Sequence, residues 1–134
     1  MKKSVVAAAA CIFVVGCSGE PQVEPQPGEV VVDGTTHAAD STKCGQDEWR
    51  LRIDTIAGPT ESRAYLRLDG ETPSVDGVTF SSPEGFNGTA GDGVGSAEVT
   101  VAQGIYTISG TAEGFDRAKP TEKRSAKFRI EAPC

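Results

Sequence analysis

A chain of 134 residues has length for one folded domain and its attachments, not for two domains. Thirteen Lys and Arg stand against nineteen Asp and Glu, a net charge of −6, which excludes the broad basic face that a nucleic-acid binder needs. One Trp, one Met and one His leave little material for a haem, a multi-histidine metal site or a histidine-based triad, so no cofactor, metal or catalytic residue is expected.

The chain opens with Lys2 and Lys3 and an apolar run from Val5 to Val15, eleven residues. That is too short to span a bilayer as a helix, which takes about 20 residues, and it has the form of a secretory signal. Val14-Val15-Gly16-Cys17 resembles a bacterial lipobox. The resemblance implies a signal peptide over residues 1–16 and a diacylglycerol on the Cys17 thiol. The chain is then cut before Cys17, and the new amino group is acylated. Each buried methylene contributes about 0.8 kcal/mol, and two chains make a stable anchor. The membrane is therefore an expected partner through the lipid on Cys17.

Cys11 leaves with the signal and Cys17 carries lipid, so Cys44 and Cys134 remain. In an oxidising compartment an even leftover pair is expected to form one disulfide. The other reading, two thiols or a zinc site, lacks both a CxxC spacing and a nearby second ligand. From residue 17 to 28 the chain is rich in Pro and acidic residues, with Pro21, Pro25 and Pro27, and reads as a tether that extends up to ~34 Å.

From Glu29 to Cys134 the apolar period is two. Trp49, Leu51 and Ile53 alternate with Arg50, Arg52 and Asp54; Ala64, Leu66 and Leu68 with Arg63, Tyr65 and Arg67; Ala97, Val99 and Val101 with Glu98 and Thr100; Ala126, Phe128 and Ile130 with Lys127, Arg129 and Glu131. Shorter strands are expected at Val30–Asp33, Val78–Ser81 and Ile105–Ser109. Turns are expected at Asp33-Gly34, Asp69-Gly70, Asp76-Gly77 and Gln103-Gly104. The glycine-rich stretch Ser81–Ser96 reads as a mobile edge loop, and Thr35–Lys43 as a loop. The expected fold class is all-β: a small antiparallel β-sandwich of about seven short strands, stapled by one disulfide.

The segment Tyr106-Thr107-Ile108-Ser109-Gly110-Thr111-Ala112-Glu113-Gly114, followed by Asp116-x-Ala118-x-Pro120, Phe128-x-Ile130 and Cys134, resembles the mycobacterial nineteen-kilodalton lipoprotein antigen family. Val30-Val31-Val32-Asp33-Gly34 resembles the opening of that family's domain, and Cys44 falls where its first domain cysteine is expected. The resemblance implies an acylated envelope protein on the outer face of the cell membrane, recognised by host innate receptors through its lipid and acting in adhesion. It implies no enzymatic activity. Family members often carry a glycosylated Ser/Thr-rich tether, whereas this one offers Ser18 alone.

Other motifs read as structure. His37 with Asp33, Asp40 and Ser41 has the residue types of a triad but no nucleophile elbow, so an exposed loop histidine is expected. Gly91-Asp92-Gly93-Val94-Gly95-Ser96 lacks the Lys of a phosphate-cradling loop and has too few carboxylates for calcium. Asn87-Gly88-Thr89 matches a glycosylation sequon but reads as a turn.

Arg117, Lys119, Lys123 and Arg124, followed by Lys127 and Arg129, place six cations within thirteen residues. The four are a candidate patch for an anionic partner such as headgroups or envelope glycans; the alternative is a solvated surface. Arg50, Arg52, Arg63 and Arg67 would share an outer face if their strands pair, neutralised by Asp54 and Asp69. The expected function is a monomeric, non-enzymatic, lipid-anchored surface protein. The alternatives are an envelope lipid or glycolipid carrier and, less favoured, a small hydrolase.

Overall fold

The computed structural model describes residues 28–134; the expected signal peptide, Cys17 and most of the expected tether lie outside the described residues. Ten antiparallel strands make up the domain: β1 (Glu29–Val32), β2 (Thr35–Ala38), β3 (Ser41–Asp47), β4 (Arg50–Ala57), β5 (Thr60–Arg67), β6 (Ser74–Ser81), β7 (Phe86–Ala90), β8 (Ser96–Ala102), β9 (Ile105–Asp116) and β10 (Lys119–Pro133). They follow one path, β2-β1-β10-β9-β7-β6-β5-β4-β3, with β8 paired to β9 off that path. The sheet curls over a single core, so that β1 approaches β4 and β6 approaches β8. The two layers expected from alternation are thus halves of one folded sheet, continuous through the long strands β9 and β10.

The fork in the sheet explains a short motif. Ile105–Thr111 of β9 pairs with β8, and Glu113–Asp116 pairs with β7. On either side of the changeover stand Gly110 and Gly114. A Cβ on Gly110 would lie 1.9 Å from the Ser96 carbonyl oxygen, and one on Gly114 would lie 1.9 Å from that of Asn87. No side chain tolerates such distances, so glycine is what lets two neighbours close on one strand. Ala112, between them, is fully buried. The Gly-Thr-Ala-x-Gly segment is therefore a fork in the sheet, not a ligand loop.

Alternation correctly places Leu51, Ile53, Ala64, Leu66, Phe128 and Ile130 inside. Phe80 packs edge-on against Phe128 at 5.0 Å between ring centroids and lies 6.4 Å from Phe86. Tight turns close two hairpins at Asp33-Gly34 and Gln103-Gly104, each with both residues at positive φ.

The structure corrects several expectations. There are ten strands rather than about seven, and β9 and β10 are 12 and 15 residues long. Ser81–Ser96 is not a mobile edge loop: β7 runs through it in the sheet interior, between β6 and β9, with Phe86 and Ala90 buried. Thr35–Lys43 contains β2 and the start of β3, edge strands whose outward exposure removes the apolar alternation that would reveal them. Asp76-Gly77 lies within β6 at an irregularity opposite Tyr65 and Leu66. Trp49 does not share the buried face of Leu51 and Ile53; it stands in the β3–β4 turn, 36% exposed.

The expected disulfide is present: Cys44 and Cys134 are bonded, with Cα atoms 6.0 Å apart. It ties the edge strand β3 to the end of β10, the third strand from the opposite end of the path.

Candidate functional site

Few of the candidate side chains converge. His37 lies on β2 opposite Val30, half-buried rather than on an exposed loop. Asp33 is ion-paired with Arg124, and a carboxylate oxygen of Asp40 accepts the Gly58 backbone N–H at 2.9 Å. Both carboxylates are thus held in structural bonds. Asn87 closes the β6–β7 connection: its side chain accepts from the Ser82 N–H at 3.1 Å and donates to the Ser82 and Gly85 carbonyls at 2.9 and 3.1 Å. Asp92-Gly93 is a tight turn, bracketed by reciprocal backbone hydrogen bonds between Gly91 and Val94. Among the described residues no group of three or more His, Cys, Asp and Glu is placed to hold a metal ion.

The basic segment divides. Arg124 is drawn into the fold: it pairs with Asp33, reaches Asp116 at 3.1 Å and lies over the Phe86 ring at 5.3 Å. Arg129 reaches Glu131 at 3.5 Å and Glu29 at 3.8 Å. Arg117, Lys119 and Lys123 are exposed at the tip of the β9–β10 hairpin, where the register shifts between Lys119 and Arg124. Glu122 is the one acid among residues 117–123.

That tip lies far from where the chain enters the domain. Gly28 abuts Glu131 and Pro133, and Glu131 is registered with Thr107, whereas Lys119 is registered with Asp116. The intervening stretch of β9 measures roughly 30 Å at the usual rise of a strand. The cations therefore sit at the end of the domain opposite the tether.

A second set of cations lies on the outer face of β4 and β5. Arg50 is opposite Arg67, Arg52 opposite Tyr65, and Asp54 opposite Arg63. Asp54 bridges Arg52 at 3.1 Å and Arg63 at 2.6 Å, and Asp69 reaches Arg67 at 3.4 Å. The pKa of Arg63 is raised, first by the hydrogen bond to Asp54 and then by Tyr65. Sequence reasoning missed the environment of Trp49: Arg50 and Arg67 stand over its ring at 4.7 and 5.0 Å. Grooves of about 410 and 820 Å³ open on this outer face; mostly charged and polar side chains line the smaller, and Leu51, Tyr65 and Leu66 join them in the larger.

Comparison with known proteins places the chain. The profile of the Mycobacterium 19 kDa lipoprotein antigen matches residues 21–134. The chain belongs to that family. A provisionally named lipoprotein of Mycobacterium indicus pranii is 27% identical over 139 residues, covering the whole of both chains. Lipoprotein LpqH of Mycobacterium tuberculosis H37Rv is 32% identical over 109 residues, covering 79% of this chain and 68% of the relative; LpqH of Mycobacterium bovis BCG matches to the same extent. Membership of this lipoprotein family makes the protein a membrane-anchored component of the envelope.

Proposed function

We propose that this lipoprotein is a non-enzymatic module displayed on the outer face of the cell membrane. The acylated Cys17 is the group that host innate receptors recognise, and the β domain serves in adhesion. One observation carries the reading: a sequence that resembles a lipobox, ending at Cys17, stands four residues before the start of a segment, 21–134, that matches the 19 kDa lipoprotein antigen family. The engagement of Asp33 and Asp40 in structural bonds supports a scaffold over a hydrolase. The grooves of the described residues open outward from the sheet, which favours display over an internal lipid carrier.

Cys17→Ser tests the reading. The variant is expected to lose both membrane retention and stimulation of receptor-bearing reporter cells, while its circular dichroism stays that of a β protein. Retention in a high-salt-washed membrane pellet, or undiminished stimulation, would refute it.

The hairpin tip supports an adhesive role because its cations face away from the tether. Each cation near an anionic surface contributes about 1 kcal/mol, and the attraction decays over about 8 Å at physiological salt. Changing Arg117, Lys119 and Lys123 to Gln is expected to weaken binding of the unlipidated domain to anionic vesicles at low salt. Adding Arg124→Gln is expected to lower stability as well, since Arg124 is paired. Co-sedimentation checks the binding and thermal unfolding checks the stability; a wild type that never sediments makes the tip a solvated surface.

A further inference from the structure

We propose that the outer face of β3–β6 carries a site for a saccharide bearing an anionic group, with the sugar on Tyr65 and the anion on Arg50. This goes beyond the reading of Cys17 and does not depend on the hairpin tip.

The observations begin with two glycines that the fold does not need. Cross-strand register places Gly45, Arg52, Tyr65 and Gly77 in one row on the outer face. A Cβ on Gly45 would meet nothing within 4 Å, and one on Gly77 would meet the Ala90 carbonyl at 3.8 Å, an ordinary contact. Neither glycine has positive φ. Neither packing nor backbone conformation therefore requires glycine, and glycine inside a strand is disfavoured. What the pair does is lower the sheet floor on both sides of Arg52 and Tyr65. The result is a groove of about 820 Å³ lined by Gln46, Asp47, Arg50, Arg52, Tyr65 and Asp76, within the size range of small-molecule sites. The irregularity in β6 opposite Tyr65 and Leu66 sets Asp76 at its rim, as bulges beside binding sites often do.

The charges then select the ligand. Arg50 and Arg67 face each other directly across β4 and β5, an arrangement of like charges that destabilises a sheet. Asp69 answers Arg67; Asp47 is registered with Arg50 on its other side, but among the described residues no carboxylate lies within ion-pair distance of Arg50. Its guanidinium is held over the Trp49 ring, a planar fork suited to a carboxylate, sulfate or phosphate. Tyr65, 43% exposed, presents an apolar ring with a polar tip. Asp47 and Asp76 repel a uniformly anionic surface but accept hydrogen bonds from hydroxyls. An anion bound at Arg50 beside hydroxyl donors and an apolar ring face describes an acidic sugar, and it fits neither a bare polyanion nor a membrane.

The test uses the envelope-extracted lipoprotein in detergent micelles, titrated with heparin hexasaccharide, hyaluronan hexasaccharide, neutral maltohexaose and short-chain polyphosphate. At least one acidic hexasaccharide is expected to bind more tightly than maltohexaose and polyphosphate. Gly45→Val should weaken that binding at least tenfold while the unfolding midpoint is unchanged or raised. Tyr65→Ala and Arg50→Gln, both at exposed positions, should weaken it similarly and keep the test valid should the valine variant fail to fold. Absence of binding to either acidic hexasaccharide would overturn the proposal. So would polyphosphate binding of equal strength, or binding that withstands Tyr65→Ala and Gly45→Val. Loss on substituting Arg117, Lys119 and Lys123 alone would move the site to the hairpin tip and overturn it too.

Discussion

Replacing Cys44 and Cys134 with serine is expected to lower the unfolding free energy by about 4.6 kcal/mol. The bond closes a loop with a sequence separation of 90, and the loop-entropy argument gives that magnitude for such a length. The structure adds a local reason. Among the described residues β3 is an edge strand paired with β4, and five of its seven residues are exposed, so the disulfide adds a second attachment to this edge. Cys134 is otherwise held by one backbone hydrogen bond, from its N–H to the Gly104 carbonyl at 2.9 Å. Small domains have only about 5–15 kcal/mol in total, so reduction should bring this one close to unfolding at body temperature. Urea melts of oxidised and reduced protein check this; a difference under about 1 kcal/mol would show that sheet pairing alone holds the ends.

Phe128→Ala is expected to cost about 3–5 kcal/mol, the usual range for an aromatic removed from a packed core. Phe128 is 4% exposed and sits on β10 between β1, where it is registered with Val32, and β9, where it is registered with Gly110. Its ring meets Phe80 from β6 across the curl. Truncation therefore opens a cavity where the two halves of the sheet face each other, and Gly110 opposite offers no side chain to fill it. Thermal unfolding of the variant reports the loss. A cost below about 1 kcal/mol would mean that the core collapses onto the site.

The strands most legible in the sequence are those with one face buried and the other wet. Leu51 and Ile53, Ala64 and Leu66, Phe128 and Ile130 each announce their strand by alternation, and the structure buries all six. β7 escaped because Phe86-Asn87-Gly88-Thr89-Ala90 puts its two buried apolar residues four apart, with polar and glycine positions between them. Its stability comes from pairing on both sides and from Asn87, neither of which is visible locally. β2 escaped for the opposite reason, as an edge strand with little to bury. Trp49 misleads because an indole beside Leu51 and Ile53 looks like core; Arg50 and Arg67 stand over its ring on the outside.

The candidate sites show the same division. Cys17 and the pairing of Cys44 with Cys134 are chemical readings that need no tertiary structure. The basic run reads as one patch in sequence, but folding brings Asp33 beside Arg124 across 91 positions and leaves Arg117, Lys119 and Lys123 at the tip. Gly45 and Gly77 say nothing in sequence. They acquire meaning once register sets them on either side of Arg52 and Tyr65.

Anchoring through an acylated Cys17 can be read from the intact mass of the protein extracted from the envelope. The expected chain begins at Cys17, lacks Met1 to Gly16, and carries the added mass of a diacylglycerol and an amide-linked acyl chain, all of it on the N-terminal peptide after proteolysis. A Cys17 free of lipid in membrane-derived protein, or a retained signal segment, would contradict it.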